Sequence, residues 1–219
     1  MVYLYNPVST ESHHSSNPAK AEHYTIVCHS LRVRTVVTST PSVVRNWLYM
    51  IRRRNYHRLR SRRLVVGLGL QWAPGPDPHP ATLQLCVGRH CLIFQLLYAA
   101  HSPAALHRFL SDPGLTLVGI WNYRDAPMLR NSKHRLHVSG LVDVRHVASD
   151  LRGCSRRMSM ESLASVVLGM DGLGKKKRVG RSAWDEKWLS DEQVEYACLD
   201  AFLCFLMGKA LRVWNWNGC

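Results

Sequence analysis

The apolar positions of this chain change period several times, and each change marks an element. Residues 64–72 are apolar for most of their length and are followed by Pro74, Pro76, Pro78 and Pro80. They read as a buried strand that gives way to a loop. Side chains two apart on a strand share a face, so Gly69 and Gln71 stand together at the strand's exit. Residues 24–30 and 31–38 are rich in Val, Ile and Thr and predict two strands, arranged as a hairpin. Thr40-Pro41 then predicts a helix start, with Val44, Trp47, Leu48 and Ile51 at helical spacing and an end near His57. Residues 81–87 and 90–96 flank Gly88-Arg89, a hairpin turn signal, so three consecutive strands pair antiparallel.

Further along, helix and strand alternate. Ser102-Pro103 opens a helix to Leu110, and Asp112-Pro113-Gly114 stops it. Residues 115–120 are apolar throughout, which predicts a strand buried on both faces with a parallel neighbour. Residues 125–131 read as a short helix and 141–144 as a short strand. A helix opens at Ser159 and ends at Gly169. Ser190 and Gln193 form a capping box that starts a long last helix, to about Leu211. The reading is a mixed α/β sheet with helices on both faces. Residues 1–23, polar from 6 onward, are expected to be a flexible segment, with one folded domain over 24–211. The tail, 212–219, is expected to dock on the core.

Composition narrows the partners. The chain has 219 residues, 46% of them hydrophobic, enough for one sizeable core. Its 29 Lys and Arg against 15 Asp and Glu give a net charge of +14. Nucleic acid is the expected partner class, ahead of an anionic surface. Arg52, Arg53, Arg54, Arg58, Arg60, Arg62 and Arg63 fall within twelve residues with no acid among them. That density exceeds what a helix C-terminus needs and suggests phosphate contacts. Lys175, Lys176, Lys177 and Arg178 sit in a glycine-rich loop and read as nucleic-acid contacts, a nuclear localisation signal or a solvated loop. A nuclear or cytoplasmic location is expected. The seven cysteines include no C-x-x-C pair, so reduced thiols and no zinc site are expected. No apolar run reaches the length of a membrane span.

Candidate chemistry lies in three places. Asp125 follows the strand at 115–120. Tyr196 and Asp200 lie four apart on the last helix and share one face, between the apolar Ala197, Cys198, Ala201 and Phe202. A carboxylate held there calls for a cation or a donor.

Three stretches carry a family resemblance: Val65-Val66-Gly67-Leu68-x-Leu70-x-Trp72, then Ala81-Thr82-Leu83-Gln84-Leu85-Cys86, then Leu92-Ile93-Phe94-Gln95-Leu96. They resemble the Werner-syndrome-type 3′–5′ exonucleases, especially their small plant members. Val118-Gly119-Ile120, with Asp125 after four intervening residues, resembles the family's second motif. Ser182-Ala183-Trp184-Asp185 and Leu189-Ser190-Asp191-Glu192-Gln193-Val194-x-Tyr196-Ala197-Cys198-x-Asp200-Ala201-Phe202 resemble the third. The resemblance implies a ribonuclease-H-like fold of the DEDDy class, with a five-stranded mixed β-sheet flanked by α-helices. It also implies two divalent ions, Mg²⁺ or Mn²⁺, held by four carboxylates. Asp125 and Asp200 would be two of these, and Tyr196 would orient the attacking water.

The chain departs from that pattern at the first motif, where Gly69 and Gln71 stand in the Asp and Glu positions. Glycine offers no ligand atom, and a neutral amide oxygen is a poor substitute for a carboxylate on a hard dication. Hydrolysis is therefore expected to be absent or strongly impaired. Three functions remain open: a nucleic-acid-binding protein on a degenerate exonuclease fold, a Mn²⁺- or Mg²⁺-dependent exonuclease on DNA or RNA, and a protein-interaction or regulatory module.

Overall fold

The structure, a computed structural model, describes residues 8–13, 20–174 and 176–218. Among these residues eight strands form one sheet: β1 (Val8–His13), β2 (Glu22–Cys28), β3 (Leu31–Thr38), β4 (Leu64–Trp72), β5 (Pro80–Val87), β6 (His90–Gln95), β7 (Leu115–Gly119) and β8 (Leu141–Asp143). Their spatial order is β1-β2-β3-β6-β5-β4-β7-β8. The β4–β5–β6 meander is antiparallel, and β7 and β8 add in parallel beyond β4. These five are the mixed sheet expected from the family resemblance. The sheet is larger than that because β3 pairs in parallel with β6 and carries the β1–β2 antiparallel pair outward.

That extension corrects the reading of the N-terminal segment. Residues 8–13 form a strand on β2 rather than a flexible stretch. Val8 is buried, and Ser9, Glu11 and Ser12 are exposed, as suits an edge strand. The expectation for residues 1–7 and 14–19 lies outside the described residues.

Among the described residues seven α-helices pack around the sheet: α1 (Pro41–Arg54), α2 (Tyr56–Arg60), α3 (Ala104–Leu110), α4 (Asp125–Asn131), α5 (Val144–Arg152), α6 (Met160–Leu168) and α7 (Asp191–Ala210). The single helix expected over 41–57 is two, broken at Asn55. α1 buries Val44, Trp47, Leu48 and Ile51 and packs on α3 and β6. α7 lies along β4 and β5. Ser190 accepts from Gln193 N–H while the Gln193 side chain accepts from Ser190 N–H, so the capping box starts α7 as expected. Gly67 is where α7 and β4 come closest. A Cβ there would lie 1.8 Å from Ala201 O and 2.8 Å from Phe205 N.

Four fully buried thiols mark the crossing of the sheet and α7. Cys28, Cys86, Cys91 and Cys198 have no exposed surface, and Thr35 Oγ1 donates to Cys198 Sγ at 3.2 Å. Burial pushes all four thiols up, Cys28 to about 12. The tail docks on the core: Val213 is buried, and Trp216 Nε1 donates to Asp150 at 3.1 Å. No helix among the described residues is long and apolar enough to cross a membrane.

Candidate functional site

Parity along β4 sets the site. Val65, Gly67, Gly69 and Gln71 share the face toward α7, since alternate side chains project to one side. Near the end of β4 this face opens into a cavity of about 350 Å³. Gly69, Gln71, Asp125, Lys177, Tyr196 and Asp200 all line it. Residues far apart in sequence thus line one cavity.

Each retained group has an identifiable support. Asp125 is the first residue of α4, where the N-terminal dipole favours a carboxylate. Burial opposes that charge, and Asp200 and Asp143 add like-charge repulsion, so the Asp125 carboxyl is pushed up to about 7. Tyr196 rests against Trp184, with ring centroids 6.2 Å apart. Its hydroxyl lies only 2.6 Å from where a Cβ on Gly180 would sit, so that turn needs glycine. Gln193 Nε2 donates to Ser182 Oγ and to Ala183 O, both at 3.0 Å. The Ser182-Ala183-Trp184 stretch is thereby tied to the start of α7, which fixes Trp184 beside Tyr196.

The first-motif positions are occupied differently. Gln71 Nε2 donates to Asp200 Oδ2 at 2.8 Å. The reverse orientation would set two oxygens against each other, so the amide must present its N–H₂ group to the carboxylate. At Gly69 the room for a side chain is bounded by Gln84, which is opposite in register on β5. Gln84 Oε1 lies 2.8 Å from the ideal Gly69 Cβ and has no hydrogen-bond partner among the described residues. Its Nε2 donates to Thr82 Oγ1 at 2.6 Å.

This donor set does not fit a pair of divalent ions. Gln71 places an N–H group on Asp200 Oδ2, and Gly69 supplies no ligand atom. Among the described residues no three His, Cys, Asp or Glu side chains group as a metal site.

Several site residues carry no sequence signal strong enough to single them out. Glu161 and Ser159, at the start of α6, and Trp121 line the same cavity. Asp143 and Arg145 form a buried ion pair, with the Arg145 guanidinium 3.3 Å above the Trp121 ring. Trp121 N–H donates to Asp143 Oδ2 at 3.0 Å, which holds that wall of the cavity. Gln84 does carry a signal, as a polar residue inside an apolar strand.

The arginine cluster is elsewhere. Arg60 lies just before β4, and Gln71 stands seven residues beyond Leu64, roughly 20 Å along the strand. Arg52, Arg53, Arg54, Arg58 and Arg60 therefore do not line the cavity. Their acid-free surroundings hold in sequence but not in space, because Asp112 pairs with Arg52 at 3.3 Å. Arg54 contacts His90 at 2.7 Å and Arg58 donates to Asn55 at 3.0 Å. Arg52, Arg53 and Arg60 share a shallow groove with Tyr49 and Tyr56, which are 68% and 54% exposed. In the lysine loop, Lys176 and Arg178 both pair with Glu192, at 2.6 and 3.1 Å. Lys177 reaches the cavity, and Lys175 lies outside the described residues.

Residues 77–213, more than half of the chain, match a family model described as 3′-5′ exonuclease. The matched segment begins after β4. An exonuclease mut-7 homolog of Homo sapiens is 28% identical over 172 residues, covering 67% of this chain and 20% of that protein. A 3′-5′ exonuclease of Arabidopsis thaliana is 26% identical over 153 residues, covering 67% of this chain and 52% of that one. The chain thus spans a fifth to about half of these relatives. Among solved structures, Escherichia coli RNase D, an exoribonuclease involved in structured RNA processing, is similar in fold. It has a TM-score of 0.59 and 21% identity, covering 71% of this chain and 41% of that one. The Aedes aegypti Nibbler EXO domain has a TM-score of 0.60 and 15% identity, covering 81% and 87%.

Proposed function

This chain belongs to the 3′–5′ exonuclease family, and on that premise we propose that it binds single-stranded nucleic acid without hydrolysing it at an appreciable rate. The observation that carries this reading is the 2.8 Å hydrogen bond from Gln71 Nε2 to Asp200 Oδ2. Where the family's chemistry needs a carboxylate facing a cation, this chain places an amide N–H₂ on the carboxylate itself. Loss of even one such group costs roughly 10²-fold or more in rate.

Binding rests on different residues. Arg52, Arg53 and Arg60 supply positive charge, and Tyr49 and Tyr56 supply exposed rings in the same groove. Cations interleaved with aromatic faces suit phosphates and unstacked bases together. Lys177 gives the cavity one cation of its own. One observation favours the alternative of residual Mn²⁺- or Mg²⁺-dependent exonuclease activity: Glu161 brings a third acid to the cavity that holds Asp125 and Asp200.

A paired assay of binding and degradation on 5′-labelled single-stranded DNA and RNA tests the reading, first with Mg²⁺ and then with Mn²⁺. The native protein binds, more weakly as salt rises, and leaves the strand intact. Gly69→Asp with Gln71→Glu restores shortening from the 3′ end, by roughly 10²-fold over the native protein. Native shortening at the rate of the double variant would overturn the loss of catalysis. Salt-independent binding, or none, would favour a protein-interaction module.

A further inference from the structure

A second cavity, about 640 Å³, lies at the start of β4, lined by Leu64 and Val65. Val65 to Gln71 is roughly 20 Å along the strand, so this cavity is separate from the one at Asp200. Its wall is apolar where the C-terminal half of α7 and the docked tail meet, at Phe205, Leu206 and Trp214. Its rim carries Arg63, Arg89 and Lys209, all exposed. Among the described residues none of these three side chains has a hydrogen bond or an ion pair, and no acidic residue lines the cavity.

Three uncompensated cations around an apolar hollow are mutually repulsive, and an anion seated among them relieves that repulsion. The volume falls in the range of small-ligand sites, which are mostly apolar with a few convergent polar groups. Two features define the ligand. Rings at Phe205 and Trp214 favour a flat, aromatic body. Three cations favour a group that carries close to two negative charges, such as a phosphate monoester, over a carboxylate with one.

We propose that this cavity binds a nucleoside monophosphate, with the base against Phe205, Leu206 and Trp214 and the phosphate at Arg63, Arg89 and Lys209. The proposal does not depend on how the Asp200 cavity functions. It rests on a different end of the strand and, Arg63 of the arginine cluster apart, on residues that no part of the exonuclease reading uses.

Isothermal titration of the whole chain with AMP, adenosine and decanoate tests it. AMP binds with a sub-millimolar Kd, and adenosine at least about tenfold more weakly, because it lacks the phosphate. Arg89→Ala with Lys209→Ala weakens AMP at least about tenfold while leaving the thermal transition in place, since both side chains are exposed. Asp200→Asn leaves AMP binding unchanged. Adenosine binding as tightly as AMP, decanoate binding more tightly, or an unaffected Arg89/Lys209 variant would each overturn the proposal. Loss of AMP binding in Asp200→Asn would move the nucleotide to the other cavity and overturn it as well.

Discussion

Two glycines on the same face of β4 meet α7 in opposite ways. At Gly67 the two backbones touch, and a methyl group would overlap the Ala201 carbonyl at 1.8 Å. At Gly69 the nearest obstacle is a side-chain tip, Gln84 Oε1 at 2.8 Å, and the next is Asp200 Cβ at 3.5 Å. The first glycine joins helix to strand. The second marks a side chain that the architecture does not require. Holding Tyr196 and Asp200 in place on α7 is therefore a separate matter from completing a metal site around them. The contacts that hold Tyr196 and Asp200 on α7 and the side chains that face them from β4 are set independently.

Replacing Gly67 puts that distinction to its severest test. Neither Ala201 O nor Phe205 N can rotate away, so α7 must lift from the sheet. Gly67→Ala lowers stability by about 3 kcal/mol or more in urea titration, or abolishes the cooperative transition. A loss near zero would mean that the two contacts are not different in kind.

Comparable in size is the pH dependence at the Asp200 end of the strand. The Asp125 carboxyl is pushed up to about 7 in the folded protein, by burial first and then by Asp200 and Asp143. The unfolded chain gives up that proton near its ordinary value of 3.8. Between those values the folded state holds the extra proton, so Asp125 takes stability away as pH rises from about 4 to about 7. The integrated effect is on the order of 4 kcal/mol. Asp125→Asn removes it, so denaturant titrations at pH 4.5 and 7.5 show the variant gaining on the native protein at the higher pH. Equal differences at both pH values would remove the electrostatic strain from the account.

The smallest effect is at Gly69 itself. Gly69→Ala changes stability by no more than about 1 kcal/mol in the same titration. Gln84 Oε1 is the end of a flexible side chain and gives way. A loss as large as that at Gly67 would show that the site end is welded too.

How much of this is legible in the sequence follows from how local each signal is. The apolar runs of β4, β5 and β6, the glycine between β5 and β6, and the Ser190–Gln193 capping box are local, and the structure has all of them. β1 is not legible, because an edge strand reading Val-Ser-Thr-Glu-Ser-His, with Ser9, Glu11 and Ser12 exposed, resembles a polar linker. α5 is absent from the sequence reading although Asp143 caps it and Gly153 ends it. The apolar Leu141-Val142 just before it signals a strand and masks the helix that follows. At the site, the sequence shows a glycine and an amide at 69 and 71. What the amide contacts is not legible, since Gln71 meets Asp200 across 129 positions. Asp112 beside Arg52 and Glu192 beside Lys176 come from long-range folding in the same way.

The buried thiols have a kinetic consequence. Cys28, Cys86, Cys91 and Cys198 belong to β2, β5, β6 and α7, and each is both sealed from solvent and held in its protonated, unreactive form. An alkylating reagent meets a reactive thiolate at these positions only when the surrounding layer separates. The rate at which each sulfur is consumed, under reagent excess, is then the rate at which its own strand or helix opens. Four elements of one sheet-and-helix junction thus carry their own clocks, and whether those clocks agree tells a concerted opening from a stepwise one.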